Sequence, residues 1–139
     1  MYVFGIKKGG RMSEIRNGLL YTKTHEWIQR TDDVTVVIGI SDHAQHEAGD
    51  IVFVEVPAEG RVLAAGDELG ALESVKTVEP ICSPLSGKIL RSNAALNDAP
   101  DTINRSPFDD GWLVVLKLSD PSELDGMMDA AAYKSYLGQ

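Results

Sequence analysis

Short apolar runs, many with a polar residue at every second position and most bounded by turn formers, fill this chain and predict strands rather than long helices. Leu19–Tyr21 and His25–Gln29 read as short strands, and Thr31-Asp32-Asp33 as a turn. Val34–Ile40 is β-branched almost throughout, the profile of a central strand. Asp50–Val56 alternates strongly, Pro57-Ala58-Glu59-Gly60 turns, and Arg61–Ala64 returns. Gly87–Ser92 and the nearly continuous apolar run Trp112–Leu118 add two more strands. Helical signals are short. Ser41 as an N-cap and Gly49 as a stop bracket one helix. Asp120-Pro121-Ser122-Glu123 is a well-formed helix start that Gly126 interrupts. Asp129 caps a last helix through Leu137, where Ala132, Tyr133, Tyr136 and Leu137 form a stripe expected to cover a core. Asn93–Asp110, polar and bearing Pro100 and Pro107, reads as a long loop with one helical turn. Periodicity alone gives a mainly β domain with short helices, a small antiparallel sandwich or barrel.

One pair of runs stands apart. Leu69–Ser74 and Val78–Ser83 flank a short polar break containing Lys76, with turn formers outside them at Ala65-Gly66-Asp67 and Pro84-Leu85-Ser86-Gly87. This predicts a β-hairpin with Lys76 at its tip. Ser74-Val75-Lys76-Thr77 holds none of the Asn-Gly or Asp-Gly pairs that tight hairpins favour, and Val75 is poorly suited to positive φ. Turn chemistry does not account for this tip.

The 139 residues are enough for one domain with a core that needs no disulfide staples. Residues 1–17 carry no pattern that would bury them, and Gly9-Gly10 and Asn17-Gly18 are joints. The expected division is a flexible extension over residues 1–18, with residues 1–12 dispensable, and one domain over 19–139. Met12 reads as a second possible start. A formal charge of −8 excludes nucleic acid and anionic membrane as natural partners and suits docking to basic protein surfaces. Cys82, the single cysteine, is expected to be a small buried hydrophobe. One cysteine and no signal-peptide core together predict a reducing, cytoplasmic setting. His43 and His46 share a helix face at i, i+3, but no carboxylate–histidine set completes a site, so no metal is expected.

Glu73-Ser74-Val75-Lys76 strongly resembles the lipoyl-attachment motif of the glycine cleavage system H-protein family. The resemblance extends over Tyr21-Thr22-Lys23-Thr24-His25-Glu26-Trp27, Gly39–Gln45, Gly49–Pro57, Asn104–Phe108, Gly111-Trp112-Leu113 and Leu118–Leu124, in family order. It implies the flattened β-barrel of lipoyl and biotinyl domains (a barrel-sandwich hybrid) with C-terminal helices. It also implies lipoic acid held as an amide on Lys76. The implied protein is a non-catalytic, monomeric carrier. Glycine decarboxylase loads its arm with an aminomethyl group, aminomethyltransferase unloads it, and dihydrolipoyl dehydrogenase reoxidises it. A lipoate ligase or a lipoyl/octanoyl transferase installs the arm. Glu26 and Thr24 match positions that shelter the loaded arm, whose ammonium needs an acceptor when buried.

One departure stands out. Glu79-Pro80 occupies the place where the family usually carries Ser-Asp, and Pro80 offers neither a carboxylate nor an N–H. Strand neighbours point to opposite faces, which counts against Glu79 replacing the lost acid and leaves Glu26 to act alone or with Glu79. An H-like lipoyl relay with other partners therefore stays open as an alternative. A biotinyl carrier fits less well, because Val75 and Thr77 flank Lys76 where that family typically has methionines. An enzyme in its own right would need a nucleophile–base pair, a metal cluster or a phosphate loop, and the sequence offers none.

Overall fold

The computed structural model describes residues 12–139. Its strands are β1 (Leu20–Tyr21), β2 (Glu26–Arg30), β3 (Thr35–Ile40), β4 (Ile51–Glu55), β5 (Val62–Leu63), β6 (Glu68–Ser74), β7 (Val78–Cys82), β8 (Gly87–Ser92) and β9 (Val114–Leu118). Helices α1 (Asp42–Ala48), α2 (Thr102–Arg105) and α3 (Ala130–Leu137) join or cover them. Two sheets form, a six-stranded one in the order β1-β2-β3-β9-β8-β5 and a three-stranded one in the order β4-β6-β7. Every strand pair is antiparallel. The inward residues of both sheets merge into one core: Ile28, Val36, Ile38 and Leu116 from the larger, Val54, Leu69, Leu72 and Ile81 from the smaller. The two packed antiparallel sheets with short helices are the small sandwich that the alternation predicts, in the flattened barrel-sandwich form that the resemblance implies.

Ser41 caps α1 by accepting the Ala44 N–H at 3.1 Å, and Gly49 ends that helix at a φ of 79°. The segment after Asp120 differs from expectation, being a 3₁₀ turn, Pro121–Gly126, rather than an α-helix. Six residues stopped by a glycine give an α-helix little room to propagate. The long loop holds a 3₁₀ turn at Ala94–Asn97 and then α2. The stripe expected on α3 is narrower than predicted: Tyr133 and Leu137 are buried, whereas Ala132 and Tyr136 are exposed. Tyr133 stacks flat on Tyr21 at 4.4 Å in a second apolar cluster with Trp27, Phe108 and Leu137.

The expected extension does not run to residue 18. Ser13 and Gln139 exchange hydrogen bonds at 2.8 and 3.2 Å, and the Glu14 N–H donates to Asp42 at 2.7 Å. Arg16 grips Asp109 through both terminal nitrogens and lies 4.7 Å above the Phe108 ring. Hydrogen bonds and one cation–π contact, with Ile15 alone packing on the second apolar cluster, hold this strap, so a reading of hydrophobic pattern misses it. The expectation that residues 1–12 are dispensable falls almost wholly on residues outside the described ones.

Cys82 is exposed, contrary to expectation. Strand alternation explains it, since Ile81 fills the core and its neighbour must face outward.

Candidate functional site

Lys76 is exposed in the three-residue connection between β6 and β7. Ser74 builds this tip. Its hydroxyl accepts the N–H groups of Lys76 and Thr77, each at 3.2 Å, while its own N–H donates to the Thr77 carbonyl at 2.8 Å. Among the described residues only His25 combines a side chain with positive φ, so Val75 sits at the tip in an ordinary conformation. Turn chemistry is therefore present, supplied by a serine side chain rather than by glycine.

The tip is seated on neighbouring elements. The Val75 N–H donates to the Asp50 carbonyl at 3.0 Å. The Lys76 ammonium reaches the Glu47 carbonyl at 3.2 Å, near the end of α1, and its stem lies over Gly49. A β-carbon on Gly49 would come within 2.8 Å of Lys76 Cε. Asn104 holds the connection beneath: its amide donates to Gly49 O at 2.9 Å and Gln45 Oε1 at 3.0 Å, and its carbonyl accepts from the Ile51 N–H at 2.9 Å. No sequence signal marks these roles for Ser74, Gly49 and Asn104.

A cleft of about 70 Å³ lies beside the tip, lined by Thr24, Glu26, Ile40, Ala44, Ala48, Leu72, Glu79, Pro80 and Ile81. A smaller void between Ala48, Leu72, Ser74, Thr77 and Glu79 adjoins it. Ala48, Leu72 and Glu79 line both, so the two spaces adjoin on the way from the hairpin tip to Glu26. Small residues Ala44 and Ala48, one turn apart on α1, leave its floor open. Glu79 therefore reaches the cleft, contrary to expectation. Glu79 stands opposite buried Leu72 and shares the face of Ile81, so alternation itself turns it inward, and Pro80 lines the cleft beside it at the outer strand of the sheet.

Glu26 is 5% exposed and its carboxylate is half used. Thr22 and Thr24 both donate to Oε1, at 2.7 and 2.6 Å, while Oε2 has no hydrogen-bond partner among the described residues. The Glu26 N–H donates back to Thr22 Oγ at 3.0 Å. Burial raises the carboxyl pKa, and the hydroxyls of Thr24 and Thr22 oppose that shift. Two donors on one oxygen leave the other as an acceptor presented to the cleft.

His25 fixes this geometry from behind. Its φ of 72° turns the chain so that Thr24 and Glu26 converge. Its carbonyl accepts the Ser41 N–H at 2.8 Å, and its ring Nδ1 lies 2.8 Å from the Tyr133 hydroxyl. Burial, and then the adjacent His43 ring at 4.6 Å, lowers the His25 pKa. His43 thus packs on His25, and the described residues hold no cluster of three or more metal-ligating side chains.

A wider cleft of about 330 Å³ lies elsewhere, between Trp27, Phe108, Trp112 and Arg91. None of Thr24, Glu26 or Lys76 lines it, so its volume carries no bearing on the lysine.

The family model described as glycine cleavage H-protein matches residues 19–139, nearly all of the chain. The chain belongs to the glycine cleavage H-protein family. It is 51% identical over 122 residues to the glycine cleavage system H protein of Chromohalobacter salexigens, covering 88% of this chain and 93% of that one. With the H protein of Teredinibacter turnerae it shares 52% over 122 residues, covering 88% and 94%. The crystal structure of a glycine cleavage system H protein from Mycobacterium marinum superposes with a TM-score of 0.82 at 35% identity. It covers 90% of this chain and 100% of that one. No helix among the described residues is long and apolar enough to cross a membrane.

Proposed function

We propose that this chain is the lipoyl-lysine carrier of glycine cleavage, with Lys76 as the attachment residue. The observation that carries the reading is an exposed lysine on a braced hairpin tip, beside two adjoining cavities that lead toward a buried carboxylate with one oxygen free of hydrogen bonds among the described residues.

The residues present fit the group. The Lys76 ammonium has a single hydrogen bond, to the Glu47 carbonyl, so acylation removes little. Ser74 and the Val75–Asp50 bond keep the base of the arm fixed while the arm moves. When bound, lipoic acid supplies a dithiolane that accepts an aminomethyl group and two reducing equivalents. Ile40, Ala44, Leu72 and Ile81 line the cleft with apolar surface that excludes water from a group lying there. Glu26 Oε2 would accept a hydrogen bond from an ammonium held there, and Thr22 and Thr24 hold that carboxylate in place by its other oxygen.

The mounted arm raises effective concentration, carrying one reactive group among several active sites without release. Glycine decarboxylase, aminomethyltransferase and dihydrolipoyl dehydrogenase are the partners in this reading, with a lipoate ligase or lipoyl/octanoyl transferase for installation. The chain itself, a cytoplasmic monomer, performs no chemistry unaided. Pro80 on the cleft wall favours a second reading, an H-like lipoyl relay with other partners.

The test is lipoylation by a lipoate ligase followed by peptide mass analysis. Modification of the Lys76 peptide alone, lost in Lys76→Arg because a guanidinium cannot form the amide, supports the reading. Modification that persists in Lys76→Arg overturns it. Turnover with purified glycine decarboxylase separates the carrier from the relay.

A further inference from the structure

We propose that Glu79 is the second carboxylate of the arm cleft, binding the primary ammonium of a loaded arm together with Glu26. The proposal rests on Lys76 as the arm-bearing lysine.

Register places Glu79 on the inner face. It stands opposite Leu72, which stands opposite Val54, and both are buried. With no strand beyond β7 to cover it, the Glu79 side chain remains exposed at the cleft mouth. Glu26, nine-tenths buried with Oε2 unpaired, forms the floor.

An ammonium carries three donors, and leaving buried donors unpaired is costly. One carboxylate oxygen cannot satisfy three. The lining side chains other than Thr24, Glu26 and Glu79 are Ile40, Ala44, Ala48, Leu72, Pro80 and Ile81, none with a polar atom. The Thr24 hydroxyl donates to Glu26 and keeps lone pairs that accept at most part of the ammonium's demand, without a charge. Among the described residues Glu79 is therefore the remaining charged acceptor, and no lysine or arginine lines the cleft to neutralise it. It also lines the void next to the hairpin tip, so an arm passing from Lys76 to Glu26 runs beside it. The Pro80 ring gives the cleft apolar wall, and the carboxylate comes from the preceding residue.

The test uses the lipoylated full-length chain loaded by glycine decarboxylase from isotopically labelled glycine. Isotope-edited nuclear Overhauser contacts from the labelled methylene are expected to the side chains of Glu26, Leu72 and Glu79. In parallel, loss of the aminomethyl group to water is followed after the decarboxylase is removed. Glu79→Gln, an exposed edge substitution whose fold is checked by its amide spectrum, is expected to speed that loss about three- to tenfold, the range for a partly exposed charge-assisted hydrogen bond. Contacts to Glu26 without Glu79, or an unchanged rate of loss in a folded Glu79→Gln variant, overturn the proposal and leave the carrier reading intact. Contacts to neither carboxylate overturn the sheltering cleft itself, and this proposal with it.

Discussion

Replacing Glu26 with glutamine should separate stability from function in opposite directions. Thr22 and Thr24 both donate to Oε1, so the amide of Glu26→Gln keeps its carbonyl on them and turns its NH₂ toward the cleft. The two hydroxyl bonds survive, and the free acceptor becomes a donor. In the parent, burial raises the Glu26 pKa above its ordinary 4.5, so the folded chain holds this proton to higher pH than the unfolded chain does. Stability must then fall as pH rises from about 4.5 through the folded value, because ionising a buried carboxyl is disfavoured. Glu26→Gln lacks that fall and should be as stable as the parent or more so at neutral pH. The loaded arm behaves otherwise. A hydrogen bond to a charged group is worth about 1.5–3 kcal/mol, which is roughly ten- to a hundredfold in occupancy of the sheltered state. The aminomethyl group should hydrolyse faster by about that factor, up to the rate of an unsheltered arm. The assays are urea melts across pH and the rate of ammonia release from the loaded chain. A variant that hydrolyses at the parent rate, or one that loses stability at neutral pH while keeping its fold, refutes this assignment of Glu26.

Other substitutions follow from the geometry. Ser74→Ala removes the acceptor of two tip N–H groups and should lower stability by about 1–2 kcal/mol and slow lipoylation, read by thermal melts and ligase rates. Gly49→Ala forces a side chain into positive φ and should lose about 1–3 kcal/mol, since the Lys76 stem can move aside but the backbone cannot. Asn104→Ala orphans the Ile51 N–H and should destabilise by about 1–3 kcal/mol, with faster amide exchange at Ile51 as its signature. Pro80→Asp should slow hydrolysis of the loaded arm more in a Glu79→Gln background than in the parent, where Glu79 already supplies an acid; equal effects in both would contradict this.

What the sequence made legible follows its physics. The hairpin, the capped helix α1 and the central strand β3 were readable because apolar period and capping residues are local signals. The tip was misread because its turn former is a serine hydroxyl accepting from residues two and three further on, a pattern that Glu73-Ser74-Val75-Lys76 shares with many loops. Glu79 was misread by setting the cleft face at Pro80, whereas alternation from buried Ile81 turns Glu79 inward, opposite Leu72. Cys82 was misread from its apolar neighbours when alternation from Ile81 already turned it outward. The strap at residues 13–16 left no trace, since its partners Asp42, Asp109 and Gln139 lie far along the chain. Tertiary contacts between polar side chains have no period to read.

The central claim is that Lys76 carries an arm loaded from glycine. Its most direct test is the mass of the Lys76 peptide after the ligase-treated chain is incubated with purified glycine decarboxylase and glycine. The account predicts one lipoyl group on that peptide, gaining an aminomethyl group and a hydrogen as carbon dioxide is released. A peptide that carries lipoyl but never gains the adduct, with the decarboxylase active on another H-protein, would contradict it.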